Sequence, residues 1–566
     1  MKKYLFVLVL AAVIFFLGKN LNPFDLRMFD FHDDTQAARI QQMAVNIKHG
    51  QIPPRLAPDM SGGLGFSVFN FYAPTAYWIT TGLHLIGIPI PIAIKTSFLA
   101  AIIACFIAMY LFLRQFFSLS AGLFGSVIYT SSLWMAIEIF IRGNISEVWF
   151  LAFFPLGLYI LYVDAKAKSK KTFILSIFVL CALFTVHNVL SLISLFIFVL
   201  YLLYLPNKKR SVFILITALI LSSYFLLPAI FESGLTYASI VAKKTHFHNH
   251  FLCIGQLWSA PNWQFGGSGP GCNSDTMPFT LGKIHIVTGL LGISLFLLHI
   301  RNQKKNKKLF MFFLSIGMIS VFLTTYQSSF IWYAFSPVFS LFQFPWRFLV
   351  FGTFLLGFFS AYLLHAINIP FKQYLGFILI LLILFTTSKY YSKPWLYTVA
   401  EYTNNLISPK YISQKAAYHM AEYLPKTADY DYWRSLDLDI RPEPDLSVQS
   451  RSLSPIDMKE KSSYKVLKNN PFSKEISISK PTAFTVNIHY FPFWEIYINN
   501  NKYIPKNFDR LGRPIVSLTQ PSIVHIFYTE TLLEKISDVM SLCVMFFIGM
   551  IVFYKPVWNK LNHILK

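Results

Sequence analysis

Residues 166–210 read KAKSKKTFILSIFVLCALFTVHNVLSLISLFIFVLYLLYLPNKKR, and this stretch decides the architecture. Between its two basic ends run 34 residues, Thr172 to Leu205, that are almost continuously apolar. One helix crossing about 30 Å of hydrocarbon needs only about 20 residues. Lys and Arg collect on the cytoplasmic side of membrane proteins, so a segment with basic clusters at both ends must cross an even number of times. It therefore doubles back. The only polar break is Thr185, His187 and Asn188, which places a hairpin tip on the outer side.

The same rule organises the rest of the chain. Of 566 residues, 55% are hydrophobic and 13% charged, half the charge of a typical soluble domain, and 49 basic against 26 acidic residues give +23. The composition excludes a disordered chain and a disulfide scaffold. The basic excess follows the loops between apolar runs, which excludes a nucleic-acid binder. Basic clusters at Lys2–Lys3, Arg114, Lys166–Lys171, Lys208–Arg210, Arg301–Lys308, Lys372 and Lys555–Lys566 all fall inside if the runs pair. The paired runs are about 4–19 with 93–113, 119–140 with 147–163, the doubled 172–205, 211–231 with 284–300, 309–326 with 348–366, and 373–388 with 536–554. This predicts an α-helical multispan membrane protein of about twelve crossings with both termini cytoplasmic.

Residues 20–92 form a long first outer loop in this reading, with 73–88 lying along the interface. The start, MKKYLFVLVLAAVIFFLGKN, reads as a retained anchor rather than a cleaved signal peptide, because no small-residue cleavage site follows its apolar run. Acidic residues, not used to build the topology, support it. Only Asp164 falls in a cytoplasmic loop, while five lie in the first outer loop and sixteen between Glu401 and Asp538.

The chain divides into a membrane domain (1–388), a polar outer domain (389–535), and a last helix with a cytoplasmic tail (536–566). An amphipathic helix is expected at Ser413 to Leu424. The alternating stretches KEISISK, TAFTVNIHYF, WEIYIN and SIVHIFY, with Asn499 to Asn501 as a hairpin turn, predict a small β-sandwich. Cys253 and Cys272 share one outer loop and can form a disulfide in an oxidising compartment.

The sharpest chemical signal is HDDTQAARI at 32–40, in which His32, Asp33 and Asp34 precede an amphipathic helix over Thr35 to Lys48. One aspartate is accounted for by helix capping. Three such residues at a bilayer surface, followed by Arg55 and a Gly- and aromatic-rich stretch, point beyond capping. Arg142 and Glu147 bracket the outer turn IRGNISE, where Glu147 is either a second working carboxylate or the partner of an ion pair. His187 sits at the hairpin tip and Arg347 in FPWR. Glu138 lies deeper in the preceding helix. An acid near hydrocarbon costs several kcal/mol unless paired or wet, so it merits suspicion.

Taken together, HDDTQAARI (32–40), GQIPPRLAPDMSGGLGFSVFNFYAPTAYW (50–78), IRGNISEVWFLAFFPLGLY (141–159), the Thr185, His187, Asn188 break and FQFPWRFL (342–349) resemble the bacterial membrane family labelled pyruvoyl-tetrahydropterin-synthase-related. That family is similar to the C-type glycosyltransferases, and YFPFWEIYINNNKYIP (490–505) resembles the C-terminal part of YfhO-type proteins. Nothing resembles the soluble pterin enzyme.

The resemblance implies an integral membrane glycosyltransferase of the bacterial plasma membrane. It would take a sugar from a polyprenyl-phosphate carrier to an extracytoplasmic acceptor of the cell envelope, with an acid of the first outer loop as general base. That acid is Asp33 or Asp34. The family more often reads His-Asp-Gly here, and position favours Asp33. Arg142, Arg55, His187 and Arg347 are the candidates to hold the donor phosphate, and Glu147 is a second catalytic acid. A Mg²⁺ or Mn²⁺ ion on His32, Asp33 and Asp34 would suit those donors. A cleft between the first outer loop, the IRGNISE turn and FPWR, roofed by the β-domain, is the expected site. Two rival readings are a transporter or lipid flippase, and a non-catalytic envelope-assembly protein.

Overall fold

The computed structural model describes residues 2–238, 240, 246–259, 263–264, 266–271, 275–301, 306–418, 420–435, 454–458 and 463–565. The chain is mostly helical, 63%, with a separate β-rich region near the C-terminus. Among the described residues six helices are long and apolar enough to cross a membrane: Ile90–Leu113, Leu119–Arg142, Ile145–Ala167, Pro345–Ala366, Lys372–Tyr390 and Leu532–Phe553. Lys208–Leu221 and Ser223–Phe231 make a seventh if counted together, bent by 68°.

The run at 172–205 does fold as two helices, Lys170–Phe184 and Asn188–Tyr201, with the break at Thr185 to His187. At 15 and 14 residues these fall short of a full crossing. Lys2–Leu17 and Lys283–Leu298, 16 residues each, are short as well. The helix Thr75–Leu85, 11 residues long, cannot span, as expected for the stretch 73–88. Cys253 is disulfide-bonded, while Cys105, Cys181 and Cys543 are free thiols; Cys272 lies outside the described residues.

The part of the fold outside the long apolar helices begins with the first loop. Its helix Gln36–Lys48 lies beside Thr75–Leu85, and its strand β1 (Arg27–Met28) pairs antiparallel with β2 (Tyr397–Thr398). The residues after 389 therefore do not leave the helical body at once. Tyr391, Tyr402, Ile412, Met420 and Trp433 are buried in the same apolar core as the helices. The composition change at 389 marks where the chain turns polar, not where packing separates.

A second core starts at β3 (Ile456–Asp457) and includes β4 (Tyr464–Asn470), β5 (Ser473–Ile478), β6 (Thr482–Val486), β7 (Trp494–Ile498), β8 (Asn501–Tyr503), β9 (Asn507–Phe508), β10 (Pro514–Leu518) and β11 (Ser522–Tyr528). These form two antiparallel sheets, in the orders β3-β6-β10-β9 and β4-β5-β11-β7-β8. Alternate residues such as Ile476, Ile478, Val524 and Ile526 are buried, as one buried face of a strand requires. Ile498 faces Asn501 across a two-residue turn whose Asn499 and Asn500 both take positive φ, 47° and 66°, the conformation that matches strand twist.

The first loop joins the two cores. Leu56 is part of the sandwich core, and the His489 N–H donates to the Leu64 carbonyl at 2.8 Å. One residue earlier, Arg55 donates to Asp538 at 2.8 Å and to the Tyr224 carbonyl at 2.8 Å, with Glu534 at 3.9 Å. This guanidinium, 2% exposed, ties the loop to the last apolar helix. Deleting one partner of a buried ion pair leaves the others uncompensated, at about 3–5 kcal/mol. Arg55→Met is expected to lower thermal stability of the detergent-purified chain by that amount, and Asp538→Asn added to it is expected to recover part of the loss.

Candidate functional site

The site is built on the break between two apolar helices. Glu138–Arg142 closes Leu119–Arg142 as a single wide π-turn, a distortion often found at functional sites. Gly143 then takes φ 71°, and Asn144 starts Ile145–Ala167 by accepting from the Glu147 N–H at 3.1 Å. The wide turn puts Glu138 and Arg142 together: Arg142 Nη1 lies 2.7 and 2.8 Å from the two Glu138 oxygens. The same nitrogen lies 2.9 Å from Glu147 Oε1, and the guanidinium stands over the Trp346 ring at 4.6 Å. Glu147 thus forms the ion pair with Arg142 that closes the turn, and does so inside a larger charged cluster.

A histidine and a further guanidinium reach Glu147 from distant segments. His187 begins the helix after the hairpin tip, and its Nδ1 accepts from the Leu190 N–H at 3.2 Å. An Nδ1 that accepts leaves the ring hydrogen on Nε2, which lies 3.4 Å from Glu147 Oε1. Arg347 Nε lies 3.9 Å from the same oxygen, while its Nη1 donates to the Phe342 carbonyl at 3.1 Å and to Gln343 Oε1 at 2.8 Å. Two buried atoms in this cluster, Glu147 Oε2 and Arg347 Nε, have no hydrogen-bond partner. Buried polar atoms are nearly always paired, so two such atoms among the described residues of one cluster mark it as unusual.

The first outer loop docks onto the same turn through its backbone. The His32 N–H donates to the Ile141 carbonyl at 3.0 Å, and the Asp33 N–H to the Arg142 carbonyl at 2.8 Å. The helix cap is Thr35, whose side chain makes no capping bond. Asp33 turns to the His32 ring instead, at 3.1 Å, with its side chain 22% exposed. Burial disfavours its charge, but the His32 hydrogen bond and the positive charge of Arg142 outweigh this and hold the carboxyl below the ordinary range. Asp34 stands near Tyr411 on the other side, where burial and its charge push the phenol far up.

Five of the candidates thus meet at one place: Asp33, Arg142, Glu147, His187 and Arg347. Arg55 does not join them, because Asp538 and Glu534 hold it at the far end of the loop. The metal set of His32, Asp33 and Asp34 does not form either, since among the described residues no three His, Cys, Asp or Glu side chains gather to hold an ion. Arg39 was missed. It is 6% exposed, donates to the Tyr77 hydroxyl at 2.7 Å and stands over Tyr72 at 4.2 Å, and its charge reaches Asp33. The chain covering this side is the helical part of the outer region, with Met420 Sδ 3.2 Å from Arg39 Nε, whereas the sandwich closes on Leu56 and Ser61.

A scan against protein-family models finds no match, and a search of curated proteins finds none either.

The docking of loop on turn depends on Gly143. Its φ suits glycine, and an added Cβ would lie 2.1 Å from Phe31. Gly143→Ala is expected to cost about 1–3 kcal/mol through backbone strain and to free the loop. Limited proteolysis should then cut near residues 29–34 faster than in the parent chain.

Proposed function

We propose that the chain is an integral membrane glycosyltransferase of the C type, moving a sugar from a polyprenyl-phosphate carrier to an extracytoplasmic acceptor. The observation that carries this reading is the meeting of Asp33, Arg142, Glu147, His187 and Arg347, from four separate stretches of chain, at the ends of apolar helices, with Arg347 Nε and Glu147 Oε2 unsatisfied. The full topology belongs to the proposal: twelve crossings of a bacterial plasma membrane, both termini inside, and the sandwich outside. Resemblance to the pyruvoyl-tetrahydropterin-synthase-related family and to YfhO-type proteins favours the same reading.

The chemistry follows from the charges. The acceptor hydroxyl attacks the anomeric carbon, and its proton passes to Asp33. The bond from that carbon to the phosphate oxygen breaks, and the lipid phosphate leaves with the electron pair. Its growing negative charge needs a fixed cation in a low-dielectric setting, where such stabilisation is strongest. Arg347 is suited to this, because its Nε is unpaired and its partner Glu147 is shared with Arg142 and His187. Glu147 holds two guanidinium groups and an imidazole in place and offsets part of their positive charge. Asp33 stays ionised well into acid, so it is always ready to accept a proton, although a low pKa makes it a weak base and places more of the burden on positioning.

Membranes carrying the chain, given labelled polyprenyl-phosphate sugars, are expected to transfer label to an envelope acceptor. Asp33→Asn should lower the rate by about 10²- to 10⁴-fold, the usual contribution of a positioned general base. Asp34→Asn should lower it far less. Equal loss in both, or none in either with normal folding, counts against the enzyme and for an assembly role.

The pH profile gives a separate check. Asp33 is depressed, so its working form persists below the ordinary carboxylate pKa of about 3.9 and the rate should not fall on its account between pH 7 and 5. His32→Ala removes the hydrogen bond that lowers it. The acidic limb should then move to higher pH.

A further inference from the structure

Away from the charged cluster, a cavity of about 560 Å³ opens where the C-terminal end of helix Gln36–Lys48 meets the turn between β4 and β5. Its volume is within the range of small-molecule sites, about 300–1,000 Å³. Its walls come from three parts of the chain: the first loop, the end of helix Thr75–Leu85, and the sandwich.

The polar groups on these walls alternate in kind. Trp494 is 2% exposed, and its Nε1 has no hydrogen-bond partner. An indole N–H can only donate, so it requires an acceptor. Lys474, 9% exposed, donates to Asn469 Oδ1 at 3.3 Å with one of its three hydrogens. Lys48, also on the wall, is a further donor.

The acceptors face them. Asp59 is locked by Gln42, whose Nε2 donates to Asp59 Oδ2 at 2.9 Å and whose Oε1 accepts from the Asp59 N–H at 2.9 Å. His49 Nδ1 lies 2.9 Å from the Val45 carbonyl and His84 Nδ1 lies 3.0 Å from the Ile88 carbonyl. A carbonyl only accepts, so in each ring Nδ1 carries the hydrogen and Nε2 of the neutral imidazole is an acceptor.

Donors and acceptors set around an indole match a molecule whose groups do both. Hydroxyls do; a phosphate is mainly an acceptor and negatively charged, and would put most of its oxygens against a carboxylate and two imidazole lone pairs. We propose that this cavity binds the ring hydroxyls of a neutral saccharide. The inference does not rest on sugar transfer at the charged cluster, since it concerns binding alone.

The test uses the full-length chain in a detergent with no sugar headgroup. Isothermal titration is run with neutral tetrasaccharides of glucose, mannose and N-acetylglucosamine, and with inorganic phosphate. At least one tetrasaccharide should bind and phosphate should not. Trp494→Phe, which keeps the ring and loses the N–H, should weaken binding by about tenfold, the usual size of one hydrogen bond. His84→Ala, at a partly exposed position, should do the same, and Glu147→Gln should leave binding unchanged. Binding of phosphate in place of every tetrasaccharide, or unchanged binding in both folded cavity variants, overturns the proposal. Loss of transfer activity without loss of saccharide binding would strike at the enzyme reading alone.

Discussion

One guanidinium organises the charged cluster at the ends of the apolar helices. Arg142 sits where two apolar helices meet, bonded to Glu138 and Glu147 and covered by Trp346. Taking such charges out of water costs several kcal/mol each, and mutual attraction returns that only when geometry is good and the remaining polar atoms are satisfied. Here they are not all satisfied. Glu147 Oε2 and Arg347 Nε have no partner, so the cluster is a poor device for stability and a good one for holding charge in a fixed place. Three carboxylates, Asp33, Glu138 and Glu147, face three guanidinium groups, Arg39, Arg142 and Arg347, and His187 adds a neutral N–H.

The helical break that presents Arg142 also explains the first loop. A π-turn followed by a glycine at φ 71° leaves the Ile141 and Arg142 carbonyls pointing outward, and the loop supplies the His32 and Asp33 N–H groups. Backbone pairing of this kind fixes Asp33 without using its carboxylate. The carboxylate is then held by charge, by His32 on one side and Arg142 beyond. At the other end of the loop Arg55 does a different job, pinning it to the last helix through Asp538. One loop is thus anchored twice, by an ion pair at one end and by a backbone ladder at the other, and the helix Gln36–Lys48 is strung between.

Which of these features the sequence displays depends on how local their cause is. The turn IRGNISE, the hairpin tip at His187 and the FPWR segment interrupt apolar runs, and a polar residue in such a break has few alternatives to a functional or structural bond. They were legible for that reason, as was the Asn499–Asn500 turn. Arg39 was not, because on a helix with one apolar face it looks like a solvated residue; its burial comes from Met420, some 380 positions later. Arg55 was misplaced for the mirror reason. It lies among glycines and aromatics that suggest a ligand site, and its true partners, Glu534 and Asp538, were counted only as part of an outer acidic pool. Helix length was legible at one place: 34 residues at 172–205 with a polar break between leave room for only two short helices, and the arms stop at 15 and 14 residues.

The helix Gln36–Lys48 gives the part of the fold outside the long apolar helices its scale. At about 1.5 Å per residue, its 13 residues extend about 20 Å from the Asp33 end to Lys48, and the cavity is lined from Gln41 onward. A rigid element of that length separates the charged cluster from the far end of the cavity, and Arg39, buried near its start against Tyr72, Tyr77 and Met420, keeps it from rotating. A small acceptor could touch only one of the two places. An extended polymer could touch both, with a distant segment held by neutral hydroxyl contacts while its end lies beside Asp33. Binding remote from the reacting atoms would then supply the positioning that a weakly basic aspartate needs, since orientation lowers a barrier independently of the strength of the base.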